Sequence, residues 1–329
     1  MSAVEEVTVE PHDPDDRVAM GLPHQVITRL PADLAEVYRS LASRAPEELV
    51  PIAEGVAEPL ARRYAAGTLL GLLGDPRIRP DDPVMVEVPG GSTTIGLPVS
   101  SVDAVVRAWA RRGVRRDWIL KECPRHAVDV RPFRMMRYPV TNYEYLLFLR
   151  DTGRWPAPTS WSFGAYPQER ANHPVWTVTE RDAEQYAGWL SRRTTRSFRL
   201  PTEVEWEHAA TGGDPREFPW GDAFDEDAAN TVEAGPLATT PVGVYPRGRS
   251  PFGVDDMAGN VEEFVADDYA RYPGGTTVDD DLTTGRSRYR VTRGGSFSRF
   301  GDLARCRRRH GQYQRFMYAV GFRLVEELR

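Results

Sequence analysis

Apolar positions recur at helical spacing in several stretches of this chain, and most of those stretches open on a recognisable start signal. From residue 30 to 78 the period is helical: Asp33 can open a helix bearing Leu34, Val37, Tyr38 and Leu41, and a second run begins at Pro46, broken near Pro51 and Pro59. Further on, Thr141 and Glu144 stand at N-cap and N3, so hydroxyl and carboxylate can satisfy each other's backbone donors in a capping box. Thr179 starts another helix patterned by Asp182, Ala183, Tyr186, Trp189 and Leu190. Thr202 and Glu205 repeat the capping box, Pro201 stiffens the approach, and Trp206, Ala209 and Ala210 form one apolar face. Between these helices lie short strand-like runs and long connections rich in Gly and Pro. Periodicity by itself therefore gives helices plus loops.

Residues 1–28 carry charge and proline but few core side chains, which predicts a loose arm. The segment 29–83 ends in Leu69-Leu70-Gly71-Leu72-Leu73-Gly74-Asp75-Pro76-Arg77, which looks like the turn of a HEAT-type helical pair. One such repeat cannot bury its own face, so the segment is expected to pack on the domain C-terminal to it. Its apolar face also supports a protein partner bound through these helices. Proline and aspartate cluster at 79–83, placing the start of the main domain at residue 84 and its end at 329.

Composition narrows the function classes. At 329 residues the chain can bury a full core, and its net charge of −6 argues against non-specific binding to nucleic acid or anionic membranes. Lys121 is the sole lysine, which removes most Schiff-base chemistry and points to a GC-rich genome. Two cysteines, Cys123 and Cys306, imply free thiols rather than a disulfide framework. With no apolar run long enough to span a bilayer and no signal-peptide pattern, the protein is expected to be cytoplasmic.

Three segments together carry a family signature: Arg199-Leu200-Pro201-Thr202-Glu203-Val204-Glu205-Trp206, then Gly259-Asn260-Val261-Glu262-Glu263-Phe264, then Arg293-Gly294-Gly295-Ser296-Phe297. They resemble the sulfatase-modifying-factor family, whose best-known member is the formylglycine-generating enzyme. Glu87-Val88-Pro89-Gly90-Gly91, His173-Pro174-Val175, Phe218-Pro219-Trp220-Gly221 and the closing Gly321-Phe322-Arg323-Leu324 come in the family's order. The resemblance implies an α+β fold: a formylglycine-generating-enzyme-like variant of the C-type-lectin fold, with long loops pinned by calcium and here preceded by the small helical segment.

The same resemblance implies sites. Calcium takes hard oxygens from carboxylates and carbonyls, and carry-over of the family's turn assigns it to Asp256, Gly259, Val261 and Glu263. A second calcium would use Asn230 and Thr231, but the segment from Val232 to Thr240 lacks the aspartate that completes that site. The family's redox centre is one copper ion between two cysteine thiolates shortly after the Gly-Gly-Ser segment. Ser296 matches the active-site serine, yet Arg299 stands where the first copper cysteine would be and nothing replaces the second. A two-cysteine copper site is excluded. Iron, used by the ergothioneine-synthase branch, stays open, although no three-ligand set shows at readable spacing. His126, His173 and His208 read as structural, whereas His310 lies in the presumed active-site wall, so Ser296, Arg299 and His310 are the catalytic candidates.

That wall concentrates Arg299, Arg305, Arg307, Arg308, Arg309 and Arg315 beside Tyr313, Phe316 and Tyr318. Arginine binds carboxylate and phosphate in bidentate fashion, so Arg305, Arg307, Arg308, Tyr313 and Phe316 are the ligand-binding candidates for an anionic peptide or small molecule. The alternative is that several of these arginines, Arg305 and Arg309 among them, pair with buried acids inside the core. Three functions compete: an oxidative tailoring enzyme related to the formylglycine-generating and pyoverdine-maturation branches, a non-catalytic lectin-like display module, and an adaptor acting through the N-terminal helices. The family resemblance, and no single residue, tips the choice towards the enzyme.

Overall fold

The computed structural model describes residues 9–328 apart from 32, 155, 234, 285–287, 314 and 316. A short turn of helix α1 (Asp16–Ala19) precedes three helices, α2 (Leu34–Leu41), α3 (Pro46–Ala53) and α4 (Leu60–Leu73). The pattern suggests a helical pair; the third helix arises because Pro46 and Pro59 each start a new one. Leu41, Leu49, Ala53, Ala65, Ala66 and Leu70 form a small core of their own. The segment then packs on the rest of the chain through charge as well as contact. Glu54 receives Arg77, Arg137 and Arg249, and Asn172 donates to the Gly67 carbonyl and to Asp75.

Beyond it run strands β1 (Met85–Val88) and β2 (Gly91–Ile95), helices α5 (Val102–Ala108) and α6 (Arg116–Leu120), then β3 (His126–Val130) and β4 (Phe133–Met136). Two long helices come next, α7 (Asn142–Thr152) and α8 (Glu180–Thr194), then β5 (Phe198–Arg199) and α9 (Glu203–Thr211). The chain closes with β6 (Glu262–Asp268), β7 (Arg290–Arg293), β8 (His310–Gly311), β9 (Val320–Gly321) and β10 (Val325–Glu327). One antiparallel sheet has the order β1-β4-β10-β5, another β8-β7-β6-β9 with β6 and β9 parallel, and β2 pairs with β3. The strands are short and the sequence between α9 and β6 has no strand among its described residues, which is the mixed α+β architecture that the resemblance implies.

Local chemistry explains the helices. Thr141, Thr179 and Thr202 each accept from the N3 backbone N–H while Glu144, Asp182 and Glu205 reach back, so all three helices carry a full capping box. Gly153 and Gly212 end α7 and α9 in the left-handed conformation. The apolar faces of α7 and α8 bury Tyr145, Phe148, Tyr186, Trp189 and Leu190 against Phe264, Phe322 and Leu324. A second core wraps α9, with Trp206, Ala209 and Ala210 against Val88, Met135, Val265 and Val325.

The segment expected to be a loose arm is packed from residue 9 to 22. Val9 is buried with Val232 and Phe300, and Ala19 is buried against Met317 and Tyr318. Single apolar side chains at irregular spacing hold it, supported by an ion pair from Arg315 to Asp16, and irregular spacing leaves no periodic signal to read.

Candidate functional site

Helix α9 presents Glu203 and Glu207 on one buried face, a turn apart, and that face needs positive partners. Arg309 grips Glu203 with Nε and Nη2, both at 2.7 Å, and Arg293 at the end of β7 bridges Glu203 and Glu207. Arg305 likewise takes Glu122 with two bonds, 3.0 and 2.8 Å, and Glu217 with a third at 2.7 Å. These arginines are spent on buried carboxylates. Breaking one such pair strands a charge in the core, at about 3–5 kcal/mol.

The Gly259–Asn260 turn is also closed by protein groups. Gly259 has φ +75° and lies so near Asn230 that a Cβ would meet its carbonyl oxygen at 2.4 Å, so only glycine fits. Asn260 donates its N–H to the Asn230 carbonyl and accepts from Thr240. Glu263 accepts from Arg323 Nε at 2.7 Å, Arg323 Nη2 at 2.6 Å and Trp206 Nε1 at 2.8 Å, while Asp256 accepts from the Gly243 N–H. The same Arg323 also donates to the carbonyls of Asp255 and Asp256. A guanidinium thus holds Glu263, and these residues as placed do not fit a calcium ion. At the second predicted position Asn230 Oδ1 is buried without a partner, but the Thr231 carbonyl accepts from Gly235 and its hydroxyl donates to Glu233. One free oxygen falls short of the six or more that calcium takes.

A different arrangement lies behind β8. Arg299, Arg308, His310 and Tyr313 line a small, partly open cavity with Trp118 and Lys121 from the α6 region, Asp280 and Asp281 from the loop before β7, and His12 from the N-terminal segment. Lys121 is tied to Asp280 at 2.6 Å; burial pushes its amine down to about 8. His310 bonds Glu262 through Nδ1 at 2.8 Å and stacks on Tyr318. Burial lowers the His310 pKa more than Glu262 raises it; burial pushes the Glu262 carboxyl up, but His310, Thr292 and Arg299 more than reverse that. A neutral His310 beside an ionised Glu262 carries its proton on Nδ1, leaving Nε2 as a base.

Arg299 differs from its neighbours. It is 6% exposed, its Nε lacks any acceptor, and no carboxylate among the described residues lies within ion-pair distance; its guanidinium rests on the Tyr318 ring at 4.9 Å.

The model of the sulfatase-modifying factor enzyme 1-like domain matches residues 74–328. The chain belongs to the sulfatase-modifying-factor family. It is 32% identical to the hercynine oxygenase of Mycolicibacterium smegmatis over 251 residues, 65% of this chain and 54% of that protein. It is 32% identical to the formylglycine-generating enzyme of Mycobacterium tuberculosis over 215 residues, 46% of this chain and 69% of the relative. The solved structure of PvdO from Pseudomonas aeruginosa superposes with a TM-score of 0.57 at 28% identity, covering 75% of this chain and 95% of that one. The chain spans about half the length of the hercynine oxygenases it matches.

Within this family fold the copper pair does not fit. Cys306 is fully buried in the core around α9 and Cys123 packs beside α6, and burial pushes both thiols up, Cys123 to about 11. Neither is a ready thiolate. Among the described residues no group of three or more His, Cys, Asp or Glu is placed to hold a metal ion, so iron finds no ligand set there either.

The predicted site residues divide accordingly. Arg299 and His310 reach the cavity together with Arg308 and Tyr313, whereas Ser296 is buried, does not line it and shares a hydrogen bond with Ser298. Arg305 and Arg307 line a separate open groove with Trp109, Phe218 and Phe224, and Arg307 is paired to Glu217. Phe316 lies outside the described residues. Trp118, Lys121, Asp280, Asp281 and His12 are cavity residues that sequence reasoning missed. The sole lysine and the Asp279-Asp280-Asp281 run were the available signals. His126, His173 and His208 each bond a backbone or hydroxyl oxygen, at 3.0, 3.0 and 2.9 Å, as structural histidines do. No described helix is long and apolar enough to cross a membrane.

Proposed function

We propose that this chain is an oxidative tailoring enzyme of the sulfatase-modifying-factor family that acts on a peptide or small molecule bearing an anionic group, and that it is not a copper formylglycine generator. The observation that carries this reading is Arg299: a buried guanidinium with no carboxylate in ion-pair contact among the described residues, at the position where the resemblance puts the family's first redox cysteine. A buried, unpaired charge is costly, and a carboxylate or phosphate ligand would relieve it. The family membership and the similarity to a hercynine oxygenase support oxidation as the reaction class.

The chain's own groups suit binding and proton transfer. Arg299 would hold the anion, the Tyr318 ring beneath it would fix the guanidinium plane, and His310 Nε2 would accept a proton from the bound molecule. Calcium is not needed for this reading; Arg323 already neutralises Glu263.

The test is aerobic incubation with carboxylate-bearing amino-acid derivatives and cysteine peptides, with ferrous iron or cuprous ion supplied in turn, and product detection by mass spectrometry. An oxygenated or dehydrogenated product that is lost in Arg299→Gln supports the reading. Arg299-dependent binding with no product from any combination would overturn the oxidative reading in favour of the lectin-like binding module, which the buried, protonated Cys306 and Cys123 favour.

A further inference from the structure

A groove that shares no lining residue with the cavity behind β8 runs where the N-terminal helices meet the main domain, and its volume is about 630 Å³. One wall is the C-terminal end of α4, with Leu72 and Leu73; the other is α7, with Tyr143, Leu146 and Arg150. On α7 these three positions form a single stripe about 10 Å long, apolar at one end and cationic at the other. Leu72 is 51%, Leu73 54% and Tyr143 40% exposed, so three large apolar side chains stand in water at one place. The loop that adds Tyr166 and Gln168 to the lining also carries Phe163, fully exposed. Single apolar residues are ordinary on a surface, but a cluster around a groove marks an interaction site.

Two further features say what would cover it. The first is charge. Of the two ionic side chains in the lining, Asp75 is spent on Arg77 at 2.6 Å and on Asn172 at 2.7 Å. Arg150 has no carboxylate within ion-pair distance among the described residues. An apolar groove with one such cation is complementary to an apolar segment that carries an acid. The second feature is unmet acceptors. Helix α4 ends at Leu73, and no described backbone N–H from outside the helix returns to the carbonyls of residues 70–73. Asn172, also in the lining and 1% exposed, uses Nδ2 on Gly67 and Asp75 and leaves Oδ1 without a donor among the described residues. A fatty acid would suit the apolar walls and Arg150 but brings no donor, whereas a polypeptide brings N–H groups as well.

We propose that this groove docks an apolar segment of a partner polypeptide that carries an acidic side chain. The segment's apolar side chains lie between Leu72 and Leu73 on one wall and Tyr143 and Leu146 on the other. Its carboxylate meets Arg150, and its backbone N–H groups serve the open end of α4. The proposal involves neither Arg299 nor His310 nor oxidation, so it stands or falls apart from the proposed function.

Selection from a phage-displayed random peptide library on the immobilised full chain tests this, with the selected peptides then synthesised and their binding measured by fluorescence anisotropy. They should share large apolar residues and an Asp or Glu. Leu73→Asp, at a position outside the buried core of the helical segment, should weaken them at least about tenfold. Arg150→Glu should weaken them to a similar degree and, used as its own bait, should select Lys or Arg in place of the acid. Bound peptide should also slow amide hydrogen exchange across residues 71–80 and 143–150. Peptides that lack an acid, or that bind Leu73→Asp and Arg150→Glu as well as the unaltered chain, would overturn the proposal. So would a selection that yields no Arg150-dependent peptide; laurate binding that needs Arg150 would then make the groove a fatty-acid site. Concentration-dependent dimers in sedimentation that Leu73→Asp dissolves would overturn it in favour of a second copy of the chain.

Discussion

Arg309 and Arg299 lie ten positions apart in one segment, both buried, and they do opposite work. Arg309 spends its guanidinium on Glu203 of α9 and joins the second core to the loops around it. Arg299 has no carboxylate in ion-pair contact among the described residues and faces a cavity. The residue type does not decide between scaffold and site; the presence of a buried acid opposite does. An arginine-rich stretch should therefore be divided by its partners before any of it is assigned to a ligand.

The largest effect should come from breaking the scaffold side. Glu203→Ala strips Arg309 of both bonds and Arg293 of one, and denaturant unfolding should show a loss of about 3–5 kcal/mol. A loss under about 1 kcal/mol would mean these pairs are not structural. Glu263→Ala comes next. It frees Arg323 and the Trp206 N–H, so stability should fall by about 3 kcal/mol equally in calcium and in chelator. A fall confined to calcium buffer would restore the calcium assignment to the Gly259 turn.

Histidines sharpen the same contrast. Burial, chiefly, with Arg170 adding to it, pushes His173 down to about 3, and its ring bonds Thr239 rather than any acid among the described residues. The unfolded chain binds a proton there near pH 6.5 and the folded one does not, so stability falls as pH drops from about 6.5 towards 3. His173→Asn should remove about 3 kcal/mol of that acid sensitivity at pH 4, read from unfolding curves across pH. An unchanged pH profile would show His173 to be protonated in the fold.

The smallest stability effect is expected at Arg299. Arg299→Met removes a buried charge that has no ion-pair partner among the described residues, so unfolding should shift by less than about 1 kcal/mol while binding of carboxylate ligands disappears. A loss as large as that of Glu203→Ala would erase the comparison and make Arg299 another scaffold arginine.

Much of the fold is legible where chemistry is local. Thr141, Thr179 and Thr202 announce three helices because a capping box needs only a few residues. Arg305 and Arg309 are the arginines whose pairing with buried acids the sequence suggests, though not which acids; Glu203 and Glu207 are identified only by the fold. The cavity is not legible in the same way. Its walls come from residues 12, 118–121, 280–281 and 299–313, which only the tertiary fold brings together. The N-terminal segment leaves no periodic signal for a related reason: Val9, Ala19, Met20 and Leu22 make contacts at irregular spacing. At the calcium turn the motif matches in spacing, but the ion's place on Glu263 is held by Arg323, a partner sixty positions away.

The most direct test of the central claim, that this family scaffold has exchanged a thiolate redox pair for a guanidinium binding wall, is a single assay. The full chain is incubated aerobically with cuprous ion and a Cys-x-Pro-x-Arg peptide, and the peptide is weighed by mass spectrometry. The account predicts that the cysteine is recovered unchanged, because Arg299 cannot ligate copper and Cys306 is buried and protonated. Formation of the aldehyde would contradict it and place a working copper centre in this wall.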